Sequence, residues 1–530
     1  MMTIWEELEI LAKENRSLND LFKTKGRCQK FSLSYEELFY DFSKQLIDES
    51  VFESLLSLAE ERNLKGRIKE LYRGDKVNNS EDRAALHTAL RIPSDKSLMV
   101  DGIDIAAAVH GSLDRVAQIS ERIRQKIWRG ASGKPITDVV NIGVGGSDLG
   151  PLMTLKALEE FTDPESPQVH FISNMDGTQL QQLLGGLSQE NTLFIISSKS
   201  FGTADTLSNA ATAISWLKVR FESERLVFKN HIIGVSAANE KMLAFGIPEQ
   251  NQLELWDWVG GRFSMWSAIG LAIAIKLGMK QFRELLSGAH SMDEHFYHAD
   301  FEKNLPVVMG LMGVWNSTFL DINAHTVLPY DGRLKFFPDY LMQLEMESNG
   351  KSVNRVGKKV SFDTAPVMWG DVGSNAQHAF YQLLHQGTQR VSCDFIAPIK
   401  RYDQAAQVKV ELESQHQMAL ANCLAQSRVL AFGNHALEFA QDAAHKNYRG
   451  NQPSSTLLMQ RLSPYSLGML IAAYEHKTFV MSVIWDINPF DQWGVEGGKV
   501  MAGEVLSAIK GDTKQFDCST NTLLNLIKNA

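Results

Sequence analysis

The residues whose types and spacing could do chemistry fall in six short stretches. The first, "GVGGSDLGP" (143–151), follows the β-branched run "VVNI" and leads into a helix-like sequence. Glycines let a backbone come close to a ligand, and the free N–H groups of a helix start attract an anion. Ser147 adds a hydroxyl. The plainer alternative is a tight strand-to-helix turn. Two nucleotide readings fail here. Asp148 stands where the third glycine of G-x-G-x-x-G belongs, and no Lys-Ser or Lys-Thr completes a P-loop. A second turn, "IISSKSFGTADT" (195–206), runs from strand-like residues through Ser197, Ser198, Lys199, Ser200 and Thr203 into another helix-like segment. Its plainer alternative is a Ser/Thr-rich helix cap. Two such turns after neighbouring strands define a crevice at strand C-terminal ends, where open α/β sheets bind ligands. A compact pocket lined by hydroxyls suits a sugar phosphate better than a nucleotide.

Four further stretches carry ionisable groups. "WDWVGGRFSMWSAIG" (256–270) sets Arg262 behind two glycines and before an apolar segment, placing a guanidinium where it could stabilise an oxyanion; an ion pair is the ordinary alternative. "LMQLEMESNGKSV" (341–353) holds Gln343, Glu345 and Glu347 ahead of an Asn-Gly turn. Either glutamate could reach a cleft, and spacing does not choose between them. "WGDVGSNAQHAFYQLLHQG" (369–387) reads as a turn, a Ser374/Asn375 cap and a helix ending at Gly387, with His378 in its first turn. There the positive helix end would lower the imidazole pKa and favour proton transfer at neutral pH. "INPFDQWGVEGGKV" (487–500) packs Asp491, Gln492, Glu496 and Lys499 together, and Gln492 and Lys499 would share a face if the stretch is helical.

Behind these residues the chain alternates short apolar runs with longer amphipathic segments from about residue 135. The runs are 139–144, 169–173, 192–197 and 231–236, then 325–330, 391–399 and 455–462. This texture predicts α/β architecture with mainly parallel sheets and crossover helices. The expected division is an N-terminal helical segment over 1–110 packing on the larger domain, a first and smaller α/β domain over 111–285, a second and larger one over 286–500, and a helical C-terminal arm over 501–530. Within the first segment, "SLSYEELFYDFSKQLID" (32–48) and "SEDRAALHTALR" (80–91) carry apolar residues at helical spacing, with Ser80 as an N-cap. The two sets of strands could be pseudo-repeats, although their sequences do not visibly match.

Composition narrows the partners. The 530 residues are 44% hydrophobic and 22% charged, as in packed globular proteins, and the net charge of −9 argues against nucleic acid. None of the four cysteines forms a CxxC pair, no Cys/His cluster has zinc-ligand spacing, and so sparse a set suits a reducing compartment. The acidic, amphipathic first residues lack the basic and apolar regions of a secretory signal, and no apolar run reaches the roughly 18 residues of a membrane span. The expected location is the cytoplasm, with no membrane partner.

Taken together, the motifs resemble the phosphoglucose isomerase family. "WVGGRFSMWSAIG" and "FDQWGVEGGK" look like its two signatures, and "NIGVGGSDLGP", "SNMDGT", "MESNGK" and "QHAFYQLLHQGT" match further blocks in the family's order, with "SEDRAALHTALR" extending the match N-terminally. The resemblance implies two α/β/α sandwich domains of sugar-isomerase (SIS) type, usually in a homodimer. It also implies reversible conversion of glucose 6-phosphate to fructose 6-phosphate without metal or cofactor. Carried over by position, Glu347 is the base moving a proton between C2 and C1, and Arg262 stabilises the cis-enediolate. His378 assists ring opening from the partner subunit, and Lys499 helps at the ring oxygen. Ser198, Lys199, Ser200 and Thr203 match the phosphate loop, with Lys199 acting mainly through its backbone. Gly146, Ser147, Gln343 and Gln492 match other ligand contacts. Asp205 stands where the family commonly has glutamate, and Met342 replaces a frequent glutamine. The competing reading is a sugar-phosphate-binding regulatory protein, which would need the phosphate turns but not Glu347, Arg262, His378 and Lys499 together.

Overall fold

A computed structural model describes residues 2–402, 407–437 and 443–530. The chain divides into two units, Met1–Pro489 and Phe490–Ala530. All seven apolar runs singled out above are strands in the first unit, displaced by no more than a residue or two at either end. In chain order the strands are β1 (Ser32–Tyr35), β2 (Leu38–Asp41), the two-residue ribbon β3 (Met99–Val100) and β4 (Ile103–Asp104), β5 (Asp138–Ile142), β6 (Gln168–Ile172), β7 (Thr192–Ser197), β8 (Ile232–Ser236), β9 (Gln252–Glu254), β10 (Ala324–Pro329), β11 (Val367–Gly370), β12 (Ser392–Lys400) and β13 (Ser454–Arg461).

One sheet runs β6-β5-β7-β8-β9 and is parallel throughout. β7 and β8 are buried along their whole length, as a strand covered on both faces must be. The other sheet runs β1-β2-β13-β12-β10-β11. Its β11, β10, β12 and β13 are parallel, and the β1–β2 hairpin joins β13 antiparallel. Numbered from its own first parallel strand, the first sheet has the order 2-1-3-4-5 and the parallel part of the second has 2-1-3-4. The two halves therefore repeat one topology although their sequences do not match.

The hairpin corrects the helical reading of 32–48. Leu38, Tyr40 and Phe42 are buried while Phe39 between them is exposed, a period of two that fits a strand edge-on to the core. Glu36, at φ +46°, makes the reversal. The segment 80–91 is likewise not one helix. Asn78 bridges to Arg83, Asp82 takes φ +52°, and only His87–Arg91 forms a short 3₁₀ segment. No helix begins at Ser80; its hydroxyl accepts a hydrogen bond from Asn488 Nδ2 (3.0 Å).

A helix over Pro464–Ile484 has every residue but Tyr465 buried, and it lies against the helices Met279–His298 and Leu305–Val314. Among the described residues, no helix is long and apolar enough to cross a membrane. The second unit holds the helices Glu496–Ile509 and Cys518–Lys528.

Candidate active site

The order β6-β5-β7 places a topological switch point between β5 and β7, where connections leave to opposite faces and open a crevice at the strand ends. Both phosphate-type turns sit there. After β5 the chain makes a single 3₁₀ turn, Gly145–Ser147, before the helix Leu149–Ala157. After β7 it runs Ser198–Thr203 into the helix Ala204–Lys218. Asn141, fully buried in β5, ties the two together: its Nδ2 donates to the Ser147 carbonyl (3.0 Å) and its Oδ1 accepts from Ser197 (3.2 Å).

The glycines of the first turn are needed for a close approach, and one partner is the protein's own backbone. A Cβ on Gly146 would lie 2.0 Å from the Gly261 carbonyl oxygen and 2.7 Å from the Arg262 nitrogen. A Cβ on Gly145, which has φ +60°, would lie 2.9 Å from Gln343 Nε2. Backbone thus stacks on backbone, and the turn that carries Arg262 is locked to the turn that ends β5. Asp148 closes the same turn from beneath. Burial pushes its carboxyl up to about 6, partly countered by a hydrogen bond from Ser173.

Arg262 is 2% exposed and spans three elements. Its Nε donates to Ser348 Oγ (2.6 Å), its Nη2 donates to the Pro489 carbonyl, and its Nη1 lies 3.4 Å from Glu347 Oε2. Gln343 Nε2 donates to the same Glu347 oxygen (3.0 Å). The helix Phe337–Met342 widens into a π turn over Gln343–Glu347, a local irregularity frequent at functional sites. Lys351 Nζ then caps that turn by donating to the carbonyls of Glu347 and Ser348. Glu347 keeps 24% of its side chain exposed. Glu345 is 1% exposed and lies 2.6 Å from Lys477 Nζ, inside the core. Spacing left the two glutamates level; burial separates them.

In the second turn, Ser198 Oγ and Thr203 Oγ1 approach to 3.2 Å, and Thr203 occupies the N-cap position without a side-chain cap bond to the helix. Phe201 takes φ +44° and buries its ring, which tucks the loop in. Lys199 points its ammonium away, donating to the Asp257 carbonyl (2.8 Å) in the segment that leads to Arg262. Lys241, which sequence reasoning passed over, donates to the Ser200 carbonyl (3.0 Å). Ser348 and Lys351 were also passed over. Both lie inside the "MESNGK" block, but neither residue type signals a role until the fold brings Arg262 and the turn's carbonyls alongside.

Two local expectations need correction. His378 falls in the last turn of a seven-residue helix, Gly373–Ala379, whose cap is Val372 rather than Ser374 or Asn375. A separate helix, Tyr381–Gln386, follows before Gly387. The dipole argument for His378 therefore has the wrong end of the helix. The imidazole is exposed on the surface of this chain. In the second unit, Gln492 precedes a one-turn segment, Trp493–Val495, and lies outside the helix Glu496–Ile509 that carries Lys499, so the two do not share a helical face. Lys499 is 63% exposed and its Nζ lies 2.7 Å from Glu496. The structure thus gathers Gly146, Arg262, Gln343 and Glu347 into one contact set, with Ser147, Ser198 and Thr203 on the adjoining turns.

A model of the phosphoglucose isomerase family matches residues 41–524. A glucose-6-phosphate isomerase of Psychrobacter cryohalolentis is 60% identical over 99% of this chain and 96% of its own length. One from Acinetobacter baumannii is 54% identical over 98% and 96%. Among solved structures, a glucose-6-phosphate isomerase from Chlamydia trachomatis superposes with a TM-score of 0.86 at 31% identity, covering 100% of this chain and 99% of that one. The two parallel sheets and the turns that meet at Glu347 are thus those of a sugar-isomerase fold, and the chain belongs to the phosphoglucose isomerase family.

Proposed function

We propose that the protein interconverts glucose 6-phosphate and fructose 6-phosphate through a cis-enediolate. The observation that carries this reading is the Glu347 carboxylate, partly open to solvent and held between the buried Arg262 guanidinium and Gln343, whose amide lies against the glycine turn. Moving hydrogen between adjacent carbons requires a base that reaches both and a cation for the oxygen charge that develops. Glu347 takes the proton from C2 of the open-chain aldose, the electron pair passing through the new C1–C2 double bond to the carbonyl oxygen to give the enediolate, and returns it to C1 as the hydroxyl proton moves from O2 to O1. Arg262 faces the enediolate oxygens, and its bonds to Ser348 and Pro489 fix its plane beforehand, so little reorganisation is needed as charge appears. The hydroxyls of Ser198, Ser200 and Thr203, with the Lys199 main chain, take the phosphate. Gly146, Ser147, Gln343 and Gln492 line the rest of the substrate. That handle supplies binding energy that orients the carbons. A regulatory binding module would have use for the hydroxyl turn but none for a cation and carboxylate aimed at one point.

His378 is assigned to ring opening from the partner subunit of a homodimer, and Lys499 to the ring oxygen. The exposed position of His378 suits a residue that serves a neighbouring copy. The second unit exposes Val500, Met501, Leu506, Leu523, Leu526 and Ile527, an apolar surface of the kind a second copy would cover. We read the α/β domains as 111–285 and 286–500, flanked by 1–110 and the arm 501–530, and place the enzyme in the cytoplasm.

A coupled assay with fructose 6-phosphate tests the reading. Glu347→Gln should lose about 10³-fold or more in turnover, the scale of general-base catalysis, while still binding fructose 6-phosphate by calorimetry. Normal turnover in this variant would move the base elsewhere. Mixing Glu347→Gln with His378→Ala subunits should restore part of the activity, and no recovery after demonstrated exchange would remove the shared site.

A further inference from the structure

The helix Pro464–Ile484 is buried on all sides, yet it carries three consecutive ionisable residues, Glu475, His476 and Lys477. Neighbouring helical residues point about 100° apart, so the three reach different neighbours. Glu475 accepts from Arg91 Nη1 (2.6 Å) and Trp266 Nε1 (2.8 Å). His476 Nε2 meets Asp293 Oδ1 (2.7 Å), and Asp293 in turn takes a two-bond contact from Arg91 (2.6 Å each). Lys477 Nζ pairs with Glu345 Oε2 at 2.6 Å, with 4% and 2% of the two side chains exposed. Trp266 lies four residues beyond Arg262, and Glu345 two residues before Glu347. Two of the three arms therefore end on the segments that carry the cation and the carboxylate.

Stability alone does not account for the Lys477–Glu345 pair. Buried ion pairs are often matched or bettered by apolar residues of similar volume, and their best-attested use is to fix register. Register matters here, because Gln343–Glu347 is a π turn with one residue more than an α turn would hold. Glu345 and Glu347 compete for the same rotation of that turn, and anchoring Glu345 in the core turns Glu347 outward to Arg262. We propose that Lys477 is a positioning residue: through Glu345 it sets the register of the Gln343–Glu347 turn and keeps the Glu347 carboxylate beside Arg262. This rests on the reading of Glu347 as the base.

The test is the double variant Glu345→Gln/Lys477→Met, which strands no charge. It should melt close to wild type and bind fructose 6-phosphate with a Kd weakened by less than about threefold in calorimetry, because the phosphate turn is untouched and only the Gln343 contact moves with the Gln343–Glu347 turn. Its kcat should fall by about tenfold to a hundredfold, as small misplacements of a reacting group do. Wild-type kcat, or affinity falling by as large a factor as kcat, would overturn the proposal. If the double variant does not fold, Glu345→Gln alone decides: a smaller kcat loss that still exceeds any loss of affinity supports the tether, and no kcat loss overturns it. Glu347→Gln runs alongside. Full turnover there removes the base itself, whereas a dead Glu347→Gln beside a normal double variant removes only the tether.

Discussion

The two sheets share the strand order 2-1-3-4 and treat their switch points in opposite ways. Beyond β5 and β7 the chain uses glycine, serine and threonine, and the guanidinium of Arg262 is brought in by a separate segment whose backbone packs on the first turn. Beyond β10 and β12 the corresponding space is filled. Tyr330 hydrogen-bonds Tyr381 (2.9 Å) and presses on the Gly373 backbone, where a Cβ would lie 2.2 Å from its ring. Arg333 is neutralised by Asp331 (2.7 Å) and Glu160 (2.6 Å) and stacks at 4.9 Å on Tyr402. Topology creates two crevices, but small residues and hydroxyls line one of them while aromatic rings and ion pairs fill the other. A shared sheet order therefore does not predict a shared site.

That contrast can be broken or sharpened by substitution. The largest effect is expected from Gly146→Ala. The added methyl would meet the Gly261 oxygen at 2.0 Å and must part the glycine turn from the Arg262 turn. Turnover of the folded variant should fall about 10²-fold or more, the cost of misplacing a reacting group. Steady-state kinetics at wild-type level would show that the stacked turns are not what sets the first crevice. Next comes Arg333→Ala, on the other sheet. It takes the guanidinium away from Asp331 and Glu160, whose side chains are 13% and 6% exposed. Removing one partner of a buried network costs about 3–5 kcal/mol, so the melting temperature should drop while kcat per folded molecule stays close to wild type. A selective loss of kcat would mean that the second crevice takes part in the chemistry after all.

The smallest expected effect is a pH dependence. Asp148 has a folded pKa of about 6, above its ordinary 3.8. The folded state therefore binds this proton more tightly than the unfolded chain does. The favourable contribution is complete below pH ~4 and lost as pH rises through ~6, amounting to no more than about 3 kcal/mol. Asp148→Asn carries no such proton. Its stability relative to wild type should improve between pH 4 and 7 in denaturant titrations. A constant difference across that range would mean the carboxyl is hydrated in the folded state.

Much of this was legible in the chain. The central runs at 192–197 and 231–236 were legible as strands because continuous β-branched and aliphatic residues have no exposed face to offer, and a parallel strand covered on both sides needs none. The β1–β2 hairpin was missed for a related reason. "LSYEELFYDF" satisfies helical and alternating patterns at once, and the tie is broken only by β13, more than 400 residues later, pairing with β2. "SEDRAALHTALR" misled because Arg91 looks like a solvated helix residue. It is fully buried against Asp293 and Glu475, charges that no local window contains.

By itself the sequence determined which atoms are available: two hydroxyl- and glycine-rich turns behind parallel strands, one arginine behind two glycines, and two glutamates before an Asn-Gly turn. Those follow from residue type and near-neighbour spacing, which act over a few ångströms of chain. Only the tertiary structure decided that Gly146 rests on Gly261, that Arg262 meets Glu347, and that Glu345 is spent on Lys477. These are contacts between residues from 85 to 132 positions apart. Their geometry depends on how two sheets and a buried helix pack, and packing is a property of the whole chain rather than of any stretch of it.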